Sequence, residues 1–477
     1  MTSHPDAGTV PPPGCPAHTG HSAGVPLYGP DFAADPASVY QRLRHSGPMA
    51  PIQLAPGVDA TLVTGYTTAL DVLRSPETFS KDPRRWHALA DGRVAPDNPV
   101  VPMMAYRPNA LFSDGEAHRR LRLAITDSLE RVDPNALRGY VEHSADTLID
   151  RFGPEGRANL LGDYASVLPL LLFTRLFGCP PAYGDRLVAG MAAIFDGIDA
   201  EKANADLTQC LMDLVALKRA QPGPDVTSWL MAHPARLNDE EMIHTLVLLM
   251  GAGTEPEQNL IANGLRLLLS DDRFAGSLSG GSMPIEDALD EVLWTDPPMA
   301  NYGVHFPIRD VELAGVRLRE GEPVVISFAA ANTDPALATD NRMGNRAHLA
   351  WSAGPHACPA QSQARLIAAV AIEKLLDRIP DVELAVPVDR LVWRPGPFHR
   401  ALTELPVRFP PLAAQAAPTV PVPDHLDETS GDNRWNPSPA PSSSTLPAAT
   451  STPRQTVSAP SGRRHWWSSL VGWLRGR

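Results

Sequence analysis

Between residues 115 and 270, apolar side chains recur at three- and four-residue intervals, and that spacing commits the region to helices. The stretches "ASVLPLLLFTRLFG" and "DLTQCLMDLVALKRA" carry the pattern most clearly. The sharpest boundary is "LNDEEMIHTLVLLM", where Asn238 can cap a helix and Glu241, three residues on, can complete a capping box. Upstream, "DPASVYQRLRHSG" reads as a helix ended by glycine, and "TLVTGYTTALDVLRSPETF" as a strand, a turn and a helix. Short β signals appear later, in "DVELAGVRL" and "GEPVVISFAA". The expected fold class is mainly α with small β-sheets.

Composition divides the 477 residues into four parts. Residues 1–24 are rich in Pro, Gly and Ser and read as a disordered leader. Its Cys15, His4, His18 and His21 match no zinc-ligand spacing, so a flexible arm is expected there. Residues 25–412 form the globular region, and 413–460, rich in Pro, Ser and Ala, read as a linker. The last segment, 461–477, contains "RRHWWSSLVGWLRGR", whose tryptophans and arginines suit a membrane surface or a protein partner's groove. A net charge of −13 argues against nucleic-acid binding. Four cysteines without close pairing point to a reducing cytoplasm rather than a disulfide framework. No secretory signal is visible, and no window reaches the ~18 consecutive apolar residues of a membrane span.

One of those cysteines asks for a chemical explanation. In "WSAGPHACPAQSQARL", Cys358 stands between a Gly-Pro-His turn and a strong helical pattern. It is either a small buried hydrophobe or a thiolate held for a metal. Pro359 suits a first helical position, which would set the sulfur at a helix N-terminus, where free amides favour a thiolate. With no adjacent base or second cysteine, the sulfur is poorly placed for protease or redox-pair chemistry. It is well placed as the single axial ligand of a haem iron.

The G-P-H-A-C run, the aromatic Trp351 and the long helix that follows resemble the haem-binding loop of bacterial cytochrome P450s. The resemblance covers roughly residues 25 to 412 and implies the cytochrome P450 fold with haem b, iron protoporphyrin IX, bound through Cys358. "DGEAHRRLRLAI" sets His118 and Arg122 four apart on one helical face, and the family uses such a pair to clamp the haem propionates. The resemblance gives His356 the same role, and His305 stands where many relatives carry arginine.

"LLMGAGTEPEQNLIAN" resembles the long helix over the distal haem face, with Ala252 and Gly253 leaving room for oxygen and substrate. The family's acid is Glu255 here, but its threonine is replaced by Pro256, which has no hydroxyl and frees the Ala252 carbonyl. Thr254 lies about 200° away around the helix and is no substitute. Glu255 is therefore the candidate catalytic residue, holding a water that carries protons. Its alternative is an ion pair at a helix kink.

A second departure is "DEVLWTDPP", where Glu291 of the family's E-x-x-R helix is present but Trp294 holds the arginine position. Arg342 and Arg346 are the candidate new partners for Glu291. The following meander looks shortened, and Ala360 replaces a common glycine. Together these features resemble an actinobacterial, conservon-associated subgroup of the family.

The implied activity is a haem-thiolate monooxygenase inserting one oxygen atom from O2 into a small or medium organic substrate. A ferredoxin and ferredoxin reductase would supply electrons. The alternative is a non-catalytic or peroxide-using haem-binding module in a signalling complex. Localisation is expected to be cytoplasmic, with the 461–477 tail allowing peripheral attachment to the membrane.

Overall fold

The structure, a computed structural model, describes residues 24–180, 183–184, 186–187, 200–271, 285–337 and 344–413. The leader, nearly all of the linker, the Trp-rich tail and Arg342 lie outside the described residues.

The longer helices form where the sequence spacing places them. They are α1 (Pro36–Arg44), α2 (Tyr66–Leu73), α3 (Gly115–Leu129), α4 (Pro134–Phe152), α5 (Val167–Leu176), α6 (Ala200–Ala220), α7 (Val226–Ala232), α8 (Asp239–Ser270), α9 (Ile285–Thr295) and α10 (Gln361–Arg378), beside short turns of helix at Pro30–Ala34, His87–Ala90, Val101–Met104 and Phe328–Asn332. Side-chain caps begin several of them. Asp35 accepts from the Ser38 amide, Asp133 from Ala136 and Asp225 from Ser228, satisfying amides with no partner in the helix. At α8 the expected capping box is complete, with Asn238 and Glu241 each accepting from the other's backbone N–H.

The core gathers around α8. Leu260, Ile261 and Leu265 of α8 pack with Leu289 and Val292 of α9, Ile372 and Leu375 of α10, and Val141 and Leu148 of α4. All are buried. The long helix is thereby held on several sides and runs through Pro256 without ending.

The strands are short. A six-stranded sheet joins β1 (Val25–Pro26), β2 (Met49–Ala55), β3 (Val58–Val63), β9 (Val324–Ile326), β6 (Gly303–Pro307) and β4 (Phe79–Ser80), in that order. β2 and β3 are antiparallel, β3 and β9 parallel, and β9 and β6 antiparallel, with His305 opposite Val324. A smaller sheet runs β10 (Glu383–Leu384), β11 (Pro406–Arg408), β5 (Arg157–Asn159), and β7 (Val311–Leu313) with β8 (Val316–Leu318) makes a hairpin. The fold is mainly α with small sheets, as the periodicity implies.

The loop before α10 corrects one expectation. Pro359 is not the first helical residue: it lies in a turn, Ala360 is the N-cap, and α10 starts at Gln361. Cys358 thus precedes the helix by a turn instead of sitting at its first amide.

Candidate active site

The position of the cysteine loop is set by backbone. Gly354 adopts φ +67°, and a Cβ there would lie 2.2 Å from the Leu73 carbonyl oxygen at the end of α2. Only glycine permits both the conformation and the approach. Further along, the Cys358 amide donates to the Trp351 carbonyl at 2.8 Å, folding the loop back on itself.

Cys358 is half-buried. Burial pushes its thiol up, while the Ala360 amide and the Arg122 charge pull it down, and burial wins. The metal-free sulfur is therefore a thiol, and metal binding would displace its proton. Arg122 donates to the Ala357 carbonyl, one residue before the sulfur, and its Nε reaches Thr126 Oγ1 at 3.2 Å. This ties α3 to the loop.

His118, one turn before Arg122, is buried, and its Nε2 has no hydrogen-bond partner. Its ring lies 4.0 Å from that of His356, centroid to centroid, tilted by 36°. Burial, then His356 and Arg122, bring His118 down to about 4. His356 is also lowered by burial, with its Nε2 3.8 Å from Asp114 Oδ1. His305 is buried in β6, its Nδ1 2.9 Å from the Gly303 carbonyl, and burial beside Lys81 pushes it well below the ordinary range. The four residues that the resemblance assigns to the propionates thus meet at one end of the site through α3, the cysteine loop and β6.

Sequence reasoning missed two members. Lys81 is buried, its Nζ donates to the Val304 carbonyl at 2.8 Å, and burial brings it down to about 8. Asp114 would be raised by burial, but the nearby His356 ring and hydrogen bonds from Ser80 and the Lys81 amide bring it to about 2. Nothing in "FSKDP" marks Lys81 as buried, since the contact is made across the chain. The cluster holds more basic groups than acids, and its unpartnered His118 Nε2 is a donor waiting for an anion. That donor set fits two carboxylates.

The small-residue stretch of α8 is open. Ala252 and Gly253 are exposed although α8 is buried on either side of them, and a Cβ on Gly253 would meet nothing within 4 Å. Glu257, one turn on, is buried, raised well above the usual carboxylate range, and bears electrostatically on Cys358. The bare stretch of α8 and the sulfur therefore belong to one site. Thr254 Oγ1 donates back to the Met250 carbonyl at 2.8 Å and points along its own helix.

Glu255 is buried and heavily engaged. Its Oε1 accepts from Arg394 and, at 3.2 Å, from Asn259, and its Oε2 accepts from Gln258 at 3.2 Å. His399 Nδ1 lies 3.7 Å from Oε1. Burial pushes the carboxyl up, but Arg394 and His399, with these hydrogen bonds, hold it below its ordinary value. Both partners come from the hairpin closed by the Trp393–Leu402 bridge, a pairing that local sequence did not reveal. The ion-pair alternative for Glu255 is thus present, with its partner named.

On the helix bearing Trp294, Arg346 pairs with Glu286 and Asp290, while the other candidate partner for Glu291, Arg342, lies outside the described residues. Trp294 is buried and donates from Nε1 to the Asn345 carbonyl at 2.7 Å.

A cysteine in a glycine-positioned loop, basic groups able to hold two carboxylates beside it, and a bare stretch of helix are features that a haem-thiolate site requires. No protein-family model matches the chain. Among curated proteins, it is 34% identical over 399 residues to the cytochrome P450 monooxygenase PikC of Streptomyces venezuelae, covering 80% of this chain and 92% of that protein. It is 31% identical over 401 residues to a 2-hydroxy-5-methyl-1-naphthoate 7-hydroxylase of Streptomyces carzinostaticus, covering 80% of this chain and 97% of the other. Among solved structures, CYP154A1 of Streptomyces coelicolor A3(2) matches with a TM-score of 0.71 at 29% identity, over 81% of this chain and all of the other. CYP154C4 from Streptomyces sp. W2061 matches with a TM-score of 0.72 at 28% identity, over 81% and 97%. The chain belongs to the cytochrome P450 family, enzymes that bind haem b and act as oxidoreductases. Among the described residues, no helix is long and apolar enough to cross a membrane.

Proposed function

We propose that the chain is a cytoplasmic monooxygenase whose haem is bound through Cys358 and which oxidises a small or medium organic molecule with electrons from a ferredoxin and its reductase. The observation that carries the reading is the Arg122 bond to the Ala357 carbonyl, which sets the carboxylate-binding helix against the sulfur-bearing loop. The haem supplies oxygen activation, with thiolate donation favouring O–O cleavage. Around it, this chain's residues bind and position. His118, Arg122, His305 and His356 hold the two propionates, and the arriving anions draw protons onto imidazoles that burial otherwise keeps neutral. Ala252 and Gly253 keep the distal face of α8 open.

Glu255 handles protons in place of the hydroxyl that Pro256 lacks. Held ionised by Arg394, it would accept a hydrogen bond from a water at the open stretch of helix, and a proton drawn from solvent would pass along that water while the carboxylate stays charged. The monooxygenase and hydroxylase names of the relatives favour turnover over a haem module without activity. Pro256 and Trp294 together support a place in the conservon-associated subgroup.

The test is spectroscopic. Reduced protein with carbon monoxide should give the red-shifted Soret band of a thiolate haem, and Cys358→Ala should lose it. Retention of that band by the alanine variant overturns the assignment.

A further inference from the structure

Arg346 and Arg365 lie on opposite sides of Cys358 in the chain, yet both reach the same two carboxylates on α9. Asp290 accepts Arg365 Nη1 at Oδ1 and Arg346 Nε at Oδ2, the latter at 3.1 Å. Glu286 Oε2 accepts Arg365 Nη2 at 2.5 Å and Arg346 Nη2 at 3.2 Å. Glu286 and Asp290 are one helical turn apart, so a single face of α9 presents both. Trp294, a turn further, continues that face. Its Nε1 bonds the carbonyl of Asn345, next to Arg346, and its ring meets His348 edge-on at 5.7 Å. The segment from 346 to 365, which carries His356 and Cys358, is therefore a loop with both ends tied to one helix.

Burial decides which tie matters more. The Asp290 side chain is 3% exposed and that of Arg365 12%, so their attraction is poorly screened, and removing either leaves the other with only a more exposed partner, Glu286 for Arg365 or Arg346 for Asp290. Arg346 is 59% exposed and contributes less. Both Asp290 oxygens accept an arginine.

We propose that Asp290, supported by Glu286, is the positioning residue of the Cys358 loop, holding it at both ends through Arg346 and Arg365. The proposal rests on Cys358 being the iron ligand.

The experiment uses the full-length, haem-loaded protein and its Asp290→Asn and Asp290→Glu variants. Two quantities are read: the rate at which the reduced carbon monoxide form loses its red-shifted Soret band in mild urea, and hydrogen exchange across residues 347–364. Asp290→Asn should lose the band about tenfold faster, as expected for one charge-assisted hydrogen bond. Exchange should rise in the loop while α4 stays protected, and Asp290→Glu should recover part of both. Should Asp290→Asn fail to accumulate, Arg346→Met, at the exposed end of the cluster, should show the same loop-confined pattern with a smaller factor. Parent-like rates and exchange in whichever variant accumulates, or faster exchange spread over all helices, overturn the proposal. A parent protein lacking the red-shifted band would instead sink the Cys358 reading, leaving loop exchange to judge the clamp alone.

Discussion

At Glu255 a buried carboxylate is shared between the helix that carries it and a hairpin far along the chain. If it handles protons, Glu255→Gln should raise uncoupled peroxide release during turnover while leaving the carbon monoxide band in place. Unchanged coupling would remove it from the chemistry. His348 offers a separate test. It is buried against Trp294, neither ring nitrogen has a partner, and burial lowers it to about 4, with Asp290 opposing and Arg365 and Arg346 assisting. The unfolded chain takes up this proton near its ordinary pKa of 6.5, the folded chain only near 4. Stability from His348 is thus full above pH 6.5 and is lost as pH falls towards 4, with a ceiling of about 3 kcal/mol. His348→Gln should reduce the dependence of the urea midpoint on pH across that window by one histidine's share, beside the other buried histidines, and an unchanged slope would exclude this residue as a contributor.

Among the elements, what could be read from sequence was what neighbours in the chain decide. The α8 capping box needs only Asn238 and Glu241, three residues apart, and the structure contains it. His118 and Arg122 needed only a helix to share a face. Lys81, Arg394 and Arg365 acquire their partners from segments far away in sequence, so no spacing could reveal them. The start of α10 was misplaced by two residues because Pro359 fits a first helical position and a preceding turn equally well. Gly354 shows the same limit from the other side. The glycine is visible, but its contact with the Leu73 carbonyl is not. Gly354→Ala should force the loop away from α2 and weaken haem retention, measured as loss of bound haem to an apo-globin acceptor. Retention equal to the parent would show that the loop has slack. In the core, Ile372→Ala should cost about 2–5 kcal/mol by urea unfolding, because α8 and α9 cannot close over the hole.

For the whole molecule, the described elements run from the first sheet strand at Val25 to β11. The tail at 461–477 lies outside the described residues, and its aromatic and basic composition suits a membrane surface or a partner's groove. Deleting residues after 460 should abolish pelleting with vesicles containing anionic lipid, without changing the haem spectrum. Equal pelleting of both forms would make the tail inert in this respect.

The bond between Arg394 and Glu255 has an engineering consequence. The hairpin that supplies Arg394 also supplies His399, so any redesign of that hairpin would tug on the buried carboxylate of Glu255 from two sides. If Glu255 moves protons as proposed, a change in this hairpin and a loss of coupling would travel together. A variant altered there should be screened for wasted reducing equivalents from the first round.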